Sequence, residues 1–248
     1  MSLITRNLKA IAKHSLASFG LIDQDHDWSN TANFIPFKQT LEGASQAGMS
    51  VGDYVDTVMN GTPGSSQSTV DKMASMGMFA APLRAVLEIG PGTGRYLEKV
   101  QKIAAPARYE IYETAAPWAA YLETIYGVTL QPTDGHSLAA TPDASIDLVH
   151  AHKVFSTIPF IATCCYWHEI ARVTRPGGWV AFDIMTENCL DQNAMQAWAD
   201  SDTDNGSYPA AMSRSVAVNT FTNKGFTLVD SFVVPMPPGK TELLIFRK

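Results

Sequence analysis

The stretch Val86–Val100, VLEIGPGTGRYLEKV, decides the fold. An apolar run of strand type ends in Glu88-Ile89-Gly90-Pro91-Gly92-Thr93-Gly94 and then opens into a helical pattern. The order is strand, glycine turn, helix, with a carboxylate two residues before the first glycine. Glycine permits positive φ and lets a ligand approach the backbone with no Cβ in the way. The helix that follows presents unpaired N–H groups toward whatever fills the turn. Turns of this kind bind nucleotide-like cofactors, and their details select among them. A dinucleotide fingerprint reads G-x-G-x-x-G. Here the spacing is G-x-G-x-G, and Arg95 stands where the third glycine would fall. Glu88 also argues against NAD, because its charge is expected near the turn where a pyrophosphate must bind. A ligand with a positive group tolerates that carboxylate better.

E-x-G-x-G-x-G resembles motif I of the class I S-adenosylmethionine-dependent methyltransferases, whose cofactor carries an ammonium and a sulfonium. The resemblance implies that Glu88, Gly90, Pro91, Gly92 and Gly94 border S-adenosyl-L-methionine, with S-adenosyl-L-homocysteine as the product. The chain outward from this turn alternates. Strand Ala85–Ile89 is followed by a helix over Arg95–Lys102, strand Tyr109–Tyr112 and a helix over Pro117–Tyr126 closed by Gly127. A short strand at Val128–Gln131, strand Ile146–Ala151, a helix over Pro159–Val173 and strand Trp179–Ile184 complete the series. Pro117 and Pro159 suit a first helical turn, and Gly127 suits a helix C-terminus. Strands alternating with helices imply a parallel sheet covered on both faces. Phe226–Val234 and Thr241–Arg247, joined by Pro235–Lys240, read as a closing β-hairpin. The expectation is an α/β, doubly wound, seven-stranded sheet, mostly parallel with an antiparallel C-terminal strand and a helical N-terminal cap.

Ligands of such sheets bind beyond the carboxyl ends of the strands. The second strand ends at Glu113, with Thr114 beside it, and an acidic residue there can accept from both ribose hydroxyls. After the third strand comes Pro132-Thr133-Asp134-Gly135-His136. Composition alone makes Asp-Gly a turn, but in this register it resembles the family's loop in which an Asp contacts the adenine amino group. The fourth strand ends in Asp147-Leu148-Val149-His150-Ala151-His152-Lys153. Period two puts His150 and His152 on one face. H-x-H is a partial metal-ligand set, but no further ligands follow at suitable spacing, so no metal is expected. The cofactor is expected beside His152 and Lys153, and His150 is read as packing beneath the loop. The acidic cluster of metal-dependent catechol-type relatives and the N-P-P-Y-type motif of amino-group methylating relatives are both missing. Arg172-Val173-Thr174-Arg175-Pro176-Gly177-Gly178 resembles a structural family segment and is given no catalytic role.

The remaining segments are read as cover. Residues 1–82 form the helical cap. A basic amphipathic stretch carries Leu8, Ile11, Leu16 and Phe19 with Arg6, Lys9 and Lys13, and is read as a helix packed on the main domain. Ser50-x-x-Asp53 and Ser68-x-x-Asp71 resemble capping boxes, with Gly61–Ser66 as the loop between the helices they begin. Residues 83–248 form the catalytic domain, with 187–223 as a substrate-side insertion containing Trp198, Asp202, Asp204 and Tyr208. Trp28, Phe34 and Phe37 are the aromatic residues expected to reach the substrate from the cap. Asp183, Glu187 and Asp191 lie at the end of the fifth strand and beyond.

Of 248 residues, 46% are hydrophobic, ordinary for one globular domain with an elaboration. A net charge of −6 argues against a general nucleic-acid binder. No apolar run reaches membrane-spanning length, and no signal peptide is read at the N-terminus. Three cysteines, two of them the adjacent Cys164 and Cys165, make no disulfide framework, so a cytoplasmic location is expected. A homodimer is left open. The reading is transfer of a methyl group to a small-molecule acceptor at oxygen, such as a sugar, a lipid-linked intermediate or a secondary metabolite. If the acceptor is an alcohol a base must take its proton, and His152 is the first candidate and His136 the second. The competing readings are a binding protein of the same fold without turnover and an NAD-dependent oxidoreductase.

Overall fold

The computed structural model describes residues 35–201 and 209–248. The expected amphipathic segment around Leu8–Phe19, Trp28 and Phe34, together with Asp202, Asp204 and Tyr208, lies outside the described residues.

The cap comprises α1 (Phe37–Ala47), α2 (Val51–Tyr54, continued by a π-helical turn Val55–Met59) and α3 (Ser65–Ser75). The alternating half follows as β1 (Ala85–Ile89), α4 (Arg95–Ala104), β2 (Arg108–Tyr112), α5 (Ala116–Tyr126), β3 (Thr129–Leu130), β4 (Ile146–Ala151), α6 (Phe160–Val173) and β5 (Thr174–Ile184). A 3₁₀ turn (Glu187–Cys189), α7 (Gln192–Asp200), α8 (Arg214–Thr222), β6 (Thr227–Met236) and β7 (Gly239–Arg247) complete the chain. The sheet order is β3-β2-β1-β4-β5-β7-β6, parallel through β5, with β7 antiparallel to both its neighbours. This is the doubly wound, seven-stranded sheet that the alternation implied.

Each face of the sheet has its own core, because strand side chains alternate. Val86, Tyr109, Leu148, Ala181 and Leu243 point toward α4, α5 and the cap, where Leu97, Val100, Trp118 and Met73 meet them. Leu87, Ile89, Val149, Phe182 and Phe246 point the other way, onto Trp167 and Ile170 of α6 and Phe221 of α8. β1 and β4 are buried along their whole length, as central parallel strands must be.

Four local readings change. Ser50 does cap α2, accepting from the Asp53 N–H at 3.1 Å. Ser68, however, lies inside α3, whose N-cap is Gly64 in the left-handed region; three residues of the expected loop are already helical or capping. The strand expected at Trp179 begins at Thr174, but Arg175–Gly178 falls in an irregularity between the pairs Ile146–Thr174 and Leu148–Trp179. The hairpin linker is shorter than expected, since Pro235 and Met236 still pair across to Lys240 and Gly239. Finally, α8 buries Ala217 and Phe221 in the second core, so the end of the expected 187–223 insertion is a sheet-covering helix.

Candidate active site

The glycine turn and the end of β2 are tied together by Glu113. Its Oε2 accepts the Gly92 N–H at 2.7 Å and its Oε1 the Ala115 N–H at 2.7 Å. Burial pushes the Glu113 pKa up, opposed by these backbone donors. Each carboxylate oxygen keeps lone-pair capacity for a further donor. Gly90, Gly92 and Gly94 all have positive φ, but they do different jobs. A Cβ at Gly90 would strike Val154 at 2.6 Å and one at Gly94 would strike Leu122 at 2.4 Å. Above Gly92 nothing lies within 4 Å, which leaves a cradle that a side chain would fill.

Glu88 requires a correction. Lying two residues before Gly90, it projects with Val86 onto the cap-side face instead of into the turn. The Tyr109 hydroxyl lies 2.7 Å from both Glu88 Oε2 and His150 Nε2. Burial raises the Glu88 pKa to about 8, partly opposed by the Tyr109 hydrogen bond. Near pH 7 the side chain is therefore mostly protonated. The Tyr109 hydroxyl donates to Glu88 Oε2 and has His150 Nε2 on its other side. Burial also holds His150 far below its ordinary pKa, so the three groups form a neutral network. Repulsion of a pyrophosphate by an ionised Glu88 does not operate in this geometry.

The end of β4 carries a second buried cluster on the same face. His152 stacks on Tyr96 of α4, with ring centroids 3.8 Å apart and an interplanar angle of 14°. Neither ring nitrogen has a partner among the described residues. Burial pushes the His152 pKa down to about 3, so the imidazole is neutral. Next to it Lys153 adopts φ 62°, a strained conformation for a non-glycine residue. That geometry aims its N–H at Asp183 Oδ1, 2.7 Å away, while its ammonium meets Asp183 Oδ2 at 2.8 Å and Thr241 at 2.5 Å. Burial works to raise the Asp183 pKa, but Lys153, His152 and Thr241 outweigh it and hold the carboxyl below its usual range. Lys153 is thus committed to an ion pair with β5, where the sequence suggested a free contact.

Asp134 caps its own loop, accepting the N–H groups of His136 and Ser137 and the Ser137 hydroxyl. The Ser137 hydroxyl first, then the His136 N–H, pull its pKa down to about 2. Gly135 allows the turn with φ 81°. Thr114 is exposed beside Glu113. His136 is also exposed, on the loop after β3, whereas His152 follows β4. Three strand spacings, about 14 Å, separate those strand ends. The structure therefore does not gather the two histidines.

Phe37, expected to reach the substrate, instead fixes the cap. It packs edge-on against Trp118 at 4.8 Å and Tyr121 at 6.1 Å. Glu187 and Asp191 hold the mouth's outer segments: Glu187 accepts the Arg214 N–H, and Asp191 caps α7 and pairs with Lys240. Sequence reasoning missed Tyr96, Tyr109 and Thr241. Thr241 had a signal, since it is the polar end of the apolar row Thr241, Leu243, Ile245 on the closing strand. The tyrosines gave none, because a buried tyrosine on a helix or strand reads as core.

These features fit S-adenosylmethionine. There is an open cradle over Gly92, a tethered carboxylate at the end of β2, and an unpartnered buried imidazole at the end of β4. Residues 87–182, from β1 into β5, match the family described as a methyltransferase domain. By sequence, no curated protein matches the chain. Many solved structures share its fold. An O-methyltransferase family protein from Burkholderia thailandensis superimposes with a TM-score of 0.57 at 15% identity, over 98% of this chain and 70% of that one. A putative sarcosine dimethylglycine methyltransferase from Galdieria sulphuraria gives 0.56 at 13% identity, over 74% and 84%. The N-methyltransferase NodS from Bradyrhizobium japonicum WM9, in complex with S-adenosyl-L-homocysteine, gives 0.54 at 13% identity, over 73% and 86%. Residues 87–182 of the alternating half thus match a methyltransferase domain, set in a doubly wound, Rossmann-like sheet.

Proposed function

We propose that this methyltransferase acts on a small-molecule acceptor, and that the methyl group goes to oxygen. When bound, the cofactor supplies a sulfonium methyl already activated toward attack, which leaves the protein to position the acceptor and exclude water. Glu113 would hold the ribose hydroxyls, the Gly90–Gly94 turn the methionine portion, and Asp134 the adenine amino group. The reading of the acceptor rests on one observation above all. The imidazole at the end of β4, His152, is neutral and feebly basic because it is buried. Moving an alcohol proton onto such a group is strongly uphill, whereas an acceptor oxygen that is already acidic, as in a carboxylate or a phenol, needs no strong base. His152 then orients the acceptor through its unpartnered nitrogens. His136 stands on the adenine side and takes no part in proton transfer.

The test is to supply S-adenosylmethionine with hydroxylated aromatic acids and to follow S-adenosylhomocysteine and the position of the new methyl by mass spectrometry. An O-methyl product is expected. An N-methyl product, or cofactor binding with no turnover across the panel, would overturn the reading. His152→Ala should lower kcat by less than about tenfold while raising the acceptor KM, whereas loss of a true general base costs about 10²–10⁴-fold.

A further inference from the structure

Away from the glycine turn, a groove of about 410 Å³ runs between α3 of the cap and β6 at the sheet edge. That volume is in the range of small-molecule sites. One wall is a helix face. Ser65, Ser68, Thr69 and Lys72 recur at the spacing that lines up on one side of α3. The other wall is apolar, from Phe232 and Val234.

The two walls back onto the strand-end cluster. Val234 pairs with Thr241, which holds Asp183. Thr69 lies beside the Tyr96 phenol, and Tyr96 stacks on His152. The Tyr96 ring therefore lies between the groove wall at Thr69 and the His152 imidazole. At the outer end, the Lys72 ammonium sits 4.4 Å from the Phe232 ring centroid and has no carboxylate partner among the described residues. Among the described residues it is the one charged side chain lining the groove. The Ser68 hydroxyl likewise has no protein partner among the described residues.

We propose that this groove is the acceptor site, and that it takes an amphipathic organic anion. The apolar body lies on Phe232 and Val234, the anionic group pairs with Lys72, and the reacting oxygen enters past Thr69, displacing Tyr96. Helical rise from Thr69 and Ser65 to Lys72 spaces anion and reacting oxygen ~5–10 Å apart, about one aromatic ring. The proposal rests on the methyltransferase reading above and adds the charge and shape of the acceptor.

The probes are 4-hydroxyphenylacetate and its neutral amide, titrated by calorimetry into the full chain, Lys72→Gln and Ser68→Trp, with S-adenosylmethionine titrated into each in parallel. The acid should bind about fivefold tighter than the amide, the scale of one solvated charge pair. Lys72→Gln should abolish that preference and leave the amide unchanged. Ser68→Trp, which fills the groove, should abolish binding of both. Cofactor affinity should be unchanged in both variants, which also reports that they fold. Equal binding of acid and amide, a preference that survives Lys72→Gln, binding that survives Ser68→Trp, or no saturable binding of the acid at millimolar concentration would each overturn the proposal. A chain that binds the acid as predicted but not the cofactor would instead overturn the methyltransferase reading and leave the groove standing.

Discussion

Gly92 and Gly94 share a positive φ, yet an added methyl group separates their roles. At Gly92 it enters open space, so Gly92→Ala should cost only the left-handed strain, about 1 kcal/mol of stability. Cofactor affinity should fall much further, because the methyl occupies the cradle. At Gly94 the methyl meets Leu122, so Gly94→Ala should lose stability first. Urea denaturation and calorimetric titration of the two variants read these quantities separately, and equal loss of affinity and stability at Gly92 would contradict the cradle. Glu88 makes a pH prediction. The unfolded chain releases this proton near pH 4.5, whereas the folded chain holds it to about 8. The stability it contributes is complete below the lower value and is lost as pH rises toward the upper one. His150 and His152, with lowered pKa values, act in the opposite sense only below their ordinary 6.5. Between pH 6.5 and 8 the wild type should therefore lose about 2 kcal/mol that Glu88→Gln does not lose. Parallel fall in both proteins would contradict the neutral network. Glycine spacing was legible because it is a local backbone requirement. The protonation of Glu88 was not, because it depends on burial between the strands that pair with β1 on either side.

Among the elements, strands and helices from β1 to β5 were legible because glycine and proline mark their ends, and because buried parallel strands are nearly uniform apolar runs. The cap was less so: α3 starts at a left-handed glycine, and its internal Ser68-x-x-Asp71 imitates a capping signal. The loop 131–145 shows what replaces a helix between β3 and β4. Arg172 of α6 donates to the Leu138 and Thr141 carbonyls and to Asp143, while Glu169 accepts the Leu138 N–H and grips Arg172 at 2.7 Å. The segment resembling a structural family motif thus holds the loop that carries Asp134. Arg172→Gln should cost about 2 kcal/mol of stability and speed hydrogen exchange across residues 134–143 before the rest of the fold. Unchanged exchange there would show that the loop holds itself.

For the whole molecule, the cap and the cofactor helix behave as one body. Asp56 is fully buried, accepting from the Ser66 N–H and hydroxyl and from Arg95 of α4. Lys99 pairs with Asp53, Ser50 donates to Glu98, and Gly52 approaches the Arg95 backbone so closely that a Cβ would stand 2.9 Å from its Cα. None of this was visible in the sequence, where Arg95 reads only as the residue that spoils a dinucleotide fingerprint. Asp56→Ala leaves Arg95 and the Ser66 N–H unpaired and should cost about 3 kcal/mol. Because α4 begins at the glycine turn, cofactor affinity should fall with it, and destabilisation at unchanged affinity would show that the cap is independent of the site. The central claim is that Glu113 and the Gly92 turn form one S-adenosylmethionine cradle. Calorimetric titration of S-adenosylhomocysteine into the wild type and Glu113→Ala tests it most directly. The account predicts one saturable site per chain, weakened by at least about tenfold in the variant. Equal affinity in the two proteins, or a wild type that binds NAD and not S-adenosylhomocysteine, would contradict it.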